Sequence, residues 1–278
     1  MENASAKPLV SVCIPTYRGV AHLRAAIDSV LEQTLDNLEL IVIDDNSPDG
    51  TAELVAEYSD PRIRYLRNPV NLGPEGNWNR CLSEARGIYF KLLPQDDLLY
   101  PDTLERQVRV LEQDRSESIA LVFGARTILN AAGRSIMQRG YPGGKEGRVA
   151  ARELVRRCVR YGTNLIGEPG SVLMRKSLAN AVGPFDGSIP YVIDLDYWVR
   201  LLGHGDGYYL PEPIAAFRVS AGSWSVKIGG RQSIEFSVFI KKMRHLRGVE
   251  IGVFDALLGN TLARFNNLLR LVFYIKVI

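Results

Sequence analysis

An α/β fold is predicted for this chain, with a mostly parallel sheet, helices on both faces and a helical C-terminal segment. Three observations predict it. Between residues 9 and 93, short and near-continuous apolar runs alternate with stretches of helical spacing, as parallel strands buried on both faces require. Each apolar run stops at a proline or a polar turn. The chain has 278 residues and is 46% hydrophobic, which suffices for one sizeable core.

Residues 9–14, LVSVCI, read as a buried strand stopped by Pro15. Residues 22–33 follow as a helix with Leu23, Ile27, Val30 and Leu31 on one face. Residues 38–43, LELIVI, form a second strand that ends in the polar turn Asp44 to Thr51. A helix is expected over 51–58, a strand over 62–66, a helix over 75–86 and a strand over 88–93, stopped by Pro94. The second half is less regular. It reads as a helix over 102–113, a strand over 119–123, a helix over 150–160, a short strand over 171–174 and a helix over 195–202. The Gly-rich stretch from Gly140 to Gly147 is expected to be a mobile loop. From about residue 231 the pattern is helical, with Phe254, Leu257, Leu258, Leu262, Phe265, Leu268, Leu269 and Val272 at 3.6-residue spacing.

Composition narrows the class. Cys13, Cys81 and Cys158 lie far apart and form neither a CxxC pair nor a zinc cluster, so they read as reduced, buried thiols of a cytoplasmic protein. The N-terminus lacks a basic region followed by an apolar run, and no stretch approaches the roughly 20 apolar residues that span a bilayer. Net charge is +3. From Lys227 onward there are nine Lys/Arg and three Asp/Glu, a net of +6, which leaves −3 for the rest. The basic tail suits an anionic surface, or equally a solvated helix face.

In parallel sheets ligands bind at the carboxyl ends of the strands. Those ends carry Pro15-Thr16-Tyr17, Asp44-Asp45 and Gln95-Asp96-Asp97. Asp96-Asp97 suits a hard divalent cation that bridges a diphosphate, although either residue also suits a helix N-cap. Asp44-Asp45 suits a base or a ribose hydroxyl, or plain turn chemistry, and no GxGxxG points to a dinucleotide. Asp194 and Asp196 open a helix, where a carboxylate accepts a proton or simply caps. His22, His204 and His245 are isolated, and the 140–147 loop lacks a P-loop ending.

The whole pattern resembles glycosyltransferase family 2. The resemblance rests on Ser11 to Tyr17, Ser29 to Thr34, Glu39 to Thr51, Asn71-Leu72-Gly73, Gly87-Ile88-Tyr89, Gln95-Asp96-Asp97, Gly167 to Ser171, Gly183 to Asp186 and Asp194 to Arg200, across roughly residues 9–225. It implies the GT-A fold, with a catalytic domain over 1–225 and a helical segment over 226–278. Within the catalytic domain it implies a nucleotide-sugar half (about 9–100) and an acceptor half (about 101–225). It implies that Pro15, Tyr17 and Asp45 line the nucleoside pocket, Asp45 on the base. It implies Mn²⁺ or Mg²⁺ at Asp96 and Asp97, with Asp97 the direct ligand. Asp194, four residues before Trp198, matches the catalytic base, with Asp196 in reserve.

Two positions depart from the family pattern. Ile193 stands where a glutamate is usual, and Ser220 where many relatives place a metal-contacting histidine. Arg218 beside it is expected on the diphosphate. The resemblance implies inverting transfer from a nucleoside-diphosphate sugar, UDP preferred, to a glycan or lipid-linked hydroxyl in bacterial surface polysaccharide or glycolipid assembly. It implies no nucleic acid partner. Membrane contact through the basic tail and homo-oligomers stay open. The alternatives are a non-catalytic nucleotide-sugar-binding scaffold of the same fold and a nucleotidyltransferase, which would need a Gly-rich basic loop after the first strand.

Overall fold

A computed structural model describes residues 7–244 and 251–277; residues 1–6 of the N-terminus, His245 and part of the basic tail lie outside the described residues. The strands are β1 (Val10–Thr16), β2 (Leu38–Asp44), β3 (Ile63–Arg67), β4 (Tyr89–Leu92) and β5 (Leu98–Leu99). They continue with β6 (Ile119–Leu129), β7 (Ser135–Arg139), β8 (Gly147–Val149), β9 (Val172–Arg175) and β10 (Asp206–Arg218). All ten share one sheet, ordered β3-β2-β1-β4-β9-β6-β10-β5, with β7 on β6 and β8 on β10. β1 to β4, β6 and β10 run one way and the four others oppose them. The carboxyl ends of the parallel strands therefore line one edge.

Period-two alternation along each strand feeds two cores. On one face Val10, Val12 and Ile14 pack with α1 (Leu23–Leu31), α2 (Thr51–Ala56) and, through Leu104, Val108 and Leu111, α4 (Thr103–Gln113). On the other, Cys13, Ile41 and Phe90 pack with α3 (Gly73–Glu84), α5 (Ala151–Tyr161), α6 (Lys176–Val182) and α7 (Ile193–Leu202). All three cysteines are buried free thiols. Lys91 on β4 is also fully buried. Burial holds its pKa well below the usual value, and its Nζ donates to the carbonyls of Gly170 (2.8 Å) and Val172 (3.1 Å).

Several elements differ from the sequence reading. β6 runs to Leu129, well past the expected end at 123, and β10 was not expected at all. β10 contains Pro211 and Pro213, which break strand patterns, and it accommodates them at register shifts around 210–215 against β6. The Gly140–Gly147 loop, expected to be mobile, is anchored at Tyr141. Tyr141 is buried against Phe123 and Tyr209, and a side chain at Gly140 would collide with the Tyr209 hydroxyl.

The C-terminal part comprises α8 (Trp224–Ile228), α9 (Gln232–Arg244) and α10 (Val253–Val277). α10 packs on α5 and α9 through small and polar groups. A Cβ at Gly259 would lie 2.2 Å from the Val159 carbonyl oxygen, and Asp255 pairs with Arg156 (2.8 Å) and Arg160 (3.1 Å). Gly259→Val should therefore push α10 off α5. We expect a destabilisation of about 1–3 kcal/mol, read as a lower melting temperature, with Gly259→Ala intermediate.

Candidate active site

The loop after β4 carries Gln95, Asp96 and Asp97. Gln95 Oε1 accepts from the Thr16 hydroxyl (2.6 Å) and the Tyr17 N–H (2.8 Å), and its Nε2 donates to the Tyr17 carbonyl (3.2 Å). This brace ties the exit of β1 to the acidic loop. Asp96 lines the crevice, and Asp97 sits behind it, buried, with Oδ1 on the Arg218 N–H (3.0 Å). Burial raises the pKa of both carboxyls, and repulsion from Asp96 pushes Asp97 further up. His22, isolated in sequence, lies near enough to Asp96 and Arg218 to feel both charges; burial, then Arg218, lowers its pKa.

Arg218 corrects an expectation. Its Nε donates to the Asp96 carbonyl (3.1 Å) and its Nη1 to the Ala131 carbonyl (3.3 Å), so it braces the acidic loop from behind instead of lining the crevice. Ser220 turns its hydroxyl to Ser223 (3.2 Å), and Ser223 reaches the crevice and hydrogen-bonds Asp96.

The β2 exit carries the second acidic pair. Asp44 is fully buried and accepts from the Ser47 N–H (2.9 Å) and the Tyr65 hydroxyl (2.8 Å), so it builds the turn. Asp45 faces the crevice, yet its carboxylate accepts from Asn68 Nδ2 (2.5 Å) and the N–H groups of Leu72 (2.8 Å) and Gly73 (2.9 Å). It anchors the Asn71-Leu72-Gly73 loop. Pro15 and Tyr17 line the same end, with Tyr17 41% exposed.

At the opposite side stands Asp194, in the first turn of α7. Its Oδ1 accepts from the Leu195 N–H (2.7 Å) and its Oδ2 from Asn164 Nδ2 (3.0 Å). Asn164 also gathers the N–H groups of Ile166 and Gly167 (both 3.0 Å). Buried Trp198, one turn along α7, donates its Nε1–H to the Gly167 carbonyl (3.1 Å). Gly167 has φ 117°, a conformation that side chains rarely adopt, and it positions Glu168 on Arg126 (2.7 Å). Burial raises Asp194 to about 7, and the charge of Glu168 adds to the rise.

Asp196 is a second correction. It is buried away from the crevice and pairs with Arg200 (3.0 Å) and Lys242 (2.7 Å), tying α7 to α9. A carboxylate held between two cations has no path to an acceptor hydroxyl.

One cavity of about 810 Å³ connects these groups, from Pro15, Tyr17 and Asp45 past Asp96 to Asp194. Its far end was not legible in the sequence. Arg139 from β7 and Arg270 from α10 line it, together with Tyr191, Trp224 and Phe273. Arg270 donates to Thr163 Oγ1 (2.8 Å) and Gln232 Oε1 (3.1 Å). Arg139 has no hydrogen-bonded or ion-paired side-chain partner among the described residues; burial, then Arg126, lowers its pKa. No local motif marks either arginine, because only the register of β7 and the packing of α10 bring them together.

Residues 11–181 match the model of glycosyl transferase family 2. The chain belongs to that family. An uncharacterised protein of Mycobacterium tuberculosis is 33% identical over 236 residues, 80% of this chain and 71% of its own. The WfgD protein of Escherichia coli, a UDP-Glc:alpha-D-GlcNAc-diphosphoundecaprenol beta-1,3-glucosyltransferase, is 32% identical over 193 residues, 69% of this chain and 68% of its own. Residues 1–349 of S. aureus TarS in complex with UDP-GlcNAc superpose with a TM-score of 0.68 at 17% identity, over 93% of this chain and 72% of that one. The mannosyltransferase PcManGT of Pyrobaculum calidifontis, in complex with GDP-Man and Mn²⁺, gives 0.65 at 18% identity, over 98% and 74%. The fold is GT-A.

A raised carboxyl pKa has a consequence for stability. The folded state holds the Asp194 proton to about pH 7, whereas an unfolded carboxyl releases it near 3.9. Stability therefore falls as pH rises from about 4 to 7, and the loss is complete above 7. Asp194→Asn removes that loss. It should be more stable than the parent at pH 8 by on the order of a few kcal/mol, and near parity at pH 4, by thermal melts at both pH values.

Proposed function

We propose that the protein moves a sugar from a nucleoside-diphosphate sugar to an acceptor hydroxyl, with inversion at the anomeric carbon. The observation that carries this is one cavity with Asp96 at one side, backed by buried Asp97, and, at the other, a buried carboxyl with pKa about 7. Pro15, Tyr17 and Asp45 receive the nucleoside, and the diphosphate lies at Asp96. Asp194 takes the proton of the acceptor hydroxyl as its oxygen bonds to the anomeric carbon. The bond from that carbon to the diphosphate breaks, and the leaving group keeps the electron pair. A base titrating near 7 is matched to this transfer, because its ionised form is populated at neutral pH while it still binds a proton well.

Asp96 and Asp97 fit a divalent cation, Mn²⁺ or Mg²⁺. They are adjacent, recessed and mutually repelling, which a hard cation with oxygen ligands relieves. Among the described residues no cluster of three His, Cys, Asp or Glu forms a protein-only cage. The remaining ligands would be diphosphate oxygens and water, as is usual for Mg²⁺. When bound, the cation supplies charge stabilisation for the departing diphosphate. UDP is the preferred base, supported by the UDP donor in the WfgD name and the UDP-GlcNAc complex of TarS. Arg139 and Arg270 suit an acceptor that carries phosphate, as the WfgD acceptor does by its name, and this favours surface polysaccharide or glycolipid assembly.

The test is thermal stabilisation by nucleoside diphosphates with and without Mn²⁺ or Mg²⁺. UDP with metal should raise the melting temperature, and Asp97→Ala should remove the metal-dependent part. No shift with any nucleotide would leave the cavity without a donor role and favour another ligand. Separately, Arg139→Ala should raise KM for a phosphate-bearing acceptor about tenfold or more and leave UDP binding unchanged, as steady-state kinetics would read.

A further inference from the structure

α10 is folded inside out for a helix on a water-soluble domain. At 100° per residue, Phe254, Leu257, Phe265, Leu268, Val272 and Ile275 fall within about 80° of one another. They are 68%, 63%, 55%, 58%, 47% and 84% exposed, respectively. The opposite face, which meets the protein, carries Asp255, Gly259, Ala263, Asn267 and Arg270. That inner face is held by specific contacts. Asp255 pairs with Arg156 and Arg160, Asn266 donates to the Tyr161 carbonyl (2.7 Å), and Asn267 donates to the Gly230 carbonyl (3.1 Å). The 3.6-residue apolar stripe seen in the sequence is real, but it points to solvent and not to the core. A contiguous apolar face of this size marks a surface that meets something apolar.

We propose that the outer face of α10 seats the protein on an anionic lipid surface. The charge of the segment selects this occupant. Residues 227–278 carry nine Lys/Arg against three Asp/Glu, and exposed Arg264 borders the apolar stripe. Lys242 and Arg270 are held inward, but Lys227, Arg231, Lys241, Arg244 and Arg264 are exposed, and anionic headgroups would neutralise them. No helix among the described residues is long and apolar enough to cross a membrane, so the helix lies in the interface plane. Its inner face supplies Asn266, Arg270 and Tyr274 to the cavity wall, and exposed Trp224 and Lys227 stand at the same cavity. Seating α10 therefore brings the far end of the cavity to the headgroup layer. The seating stands on α10 alone. Only the delivery of a lipid-linked acceptor rests on the transferase reading.

The experiment is co-sedimentation of the full chain with phosphatidylcholine vesicles, with and without phosphatidylglycerol, beside sedimentation velocity without lipid. It uses no donor and reads no turnover, so its outcome is separate from that of the transferase reading. The expected result is binding to the phosphatidylglycerol vesicles that is weakened about tenfold or more by Phe265→Glu/Leu268→Glu, with native circular dichroism retained. Arg264→Glu should weaken binding less, and the parent chain should sediment as a monomer. Equal binding to neutral and anionic vesicles, or none to either, overturns the proposal. So does a dimer that Leu268→Glu dissociates while vesicle binding is absent.

Discussion

Asp96, Glu168 and Asp194 line one recessed cavity with Asp97 buried behind it, and the rest of the site answers to the cost of burying these carboxyls. In a medium less polarisable than water, buried carboxyls cannot all remain ionised without cations or protons. Each carboxyl meets the problem differently. Glu168 is pushed up by burial, but Arg126 and Arg139 outweigh that and hold it below its usual range. Asp194 has no ion-paired cation among the described residues, and burial makes it keep a proton to about pH 7. Asp96 and Asp97 share the field of Arg218, yet burial still raises both, so a cation beside them would favour their ionised forms. Burial thus leaves a charged residue, a titrating residue and a raised carboxyl pair around one cavity.

The fold makes this arrangement by bringing the exits of β1, β2, β4 and β10 to one edge of the sheet. The polar scaffolding is local and dense. Gln95 ties β1 to the acidic loop, Asp45 holds the start of α3, and Asn164 with Trp198 fixes the glycine before Glu168. Buried Lys91 supports the turn that follows Glu168 by donating to two of its carbonyls.

The first hundred residues were legible because each parallel strand is a local signal, a short apolar run closed by a turn. The acidic pairs at their ends follow directly from that reading. In the later half α4, α5, β9 and α7 were legible too, but β10 was not, because it bends around Pro211 and Pro213 and pairs with β6 across about ninety residues of sequence. Arg218 and Asp196 were misjudged for a related reason. Both lie in the right motif, but their side chains are taken by backbone carbonyls in one case and by Arg200 and Lys242 in the other. Arg139 and Arg270 carried no signal, since an arginine gains meaning only from the cavity it faces. The apolar stripe of α10 was visible, but spacing alone gives no direction, and the small and polar face turned out to be the packed one.

In the proposed mechanism Asp194, protonated to about pH 7, takes the acceptor's proton. The most direct measurement is the pH dependence of nucleoside-diphosphate release from the sugar donor, for the parent and for Asp194→Asn. The account predicts that activity rises through an acid limb near pH 7 and that Asn lowers it on the order of a hundredfold or more. An Asp194→Asn variant that keeps the parent's rate and pH profile would contradict it.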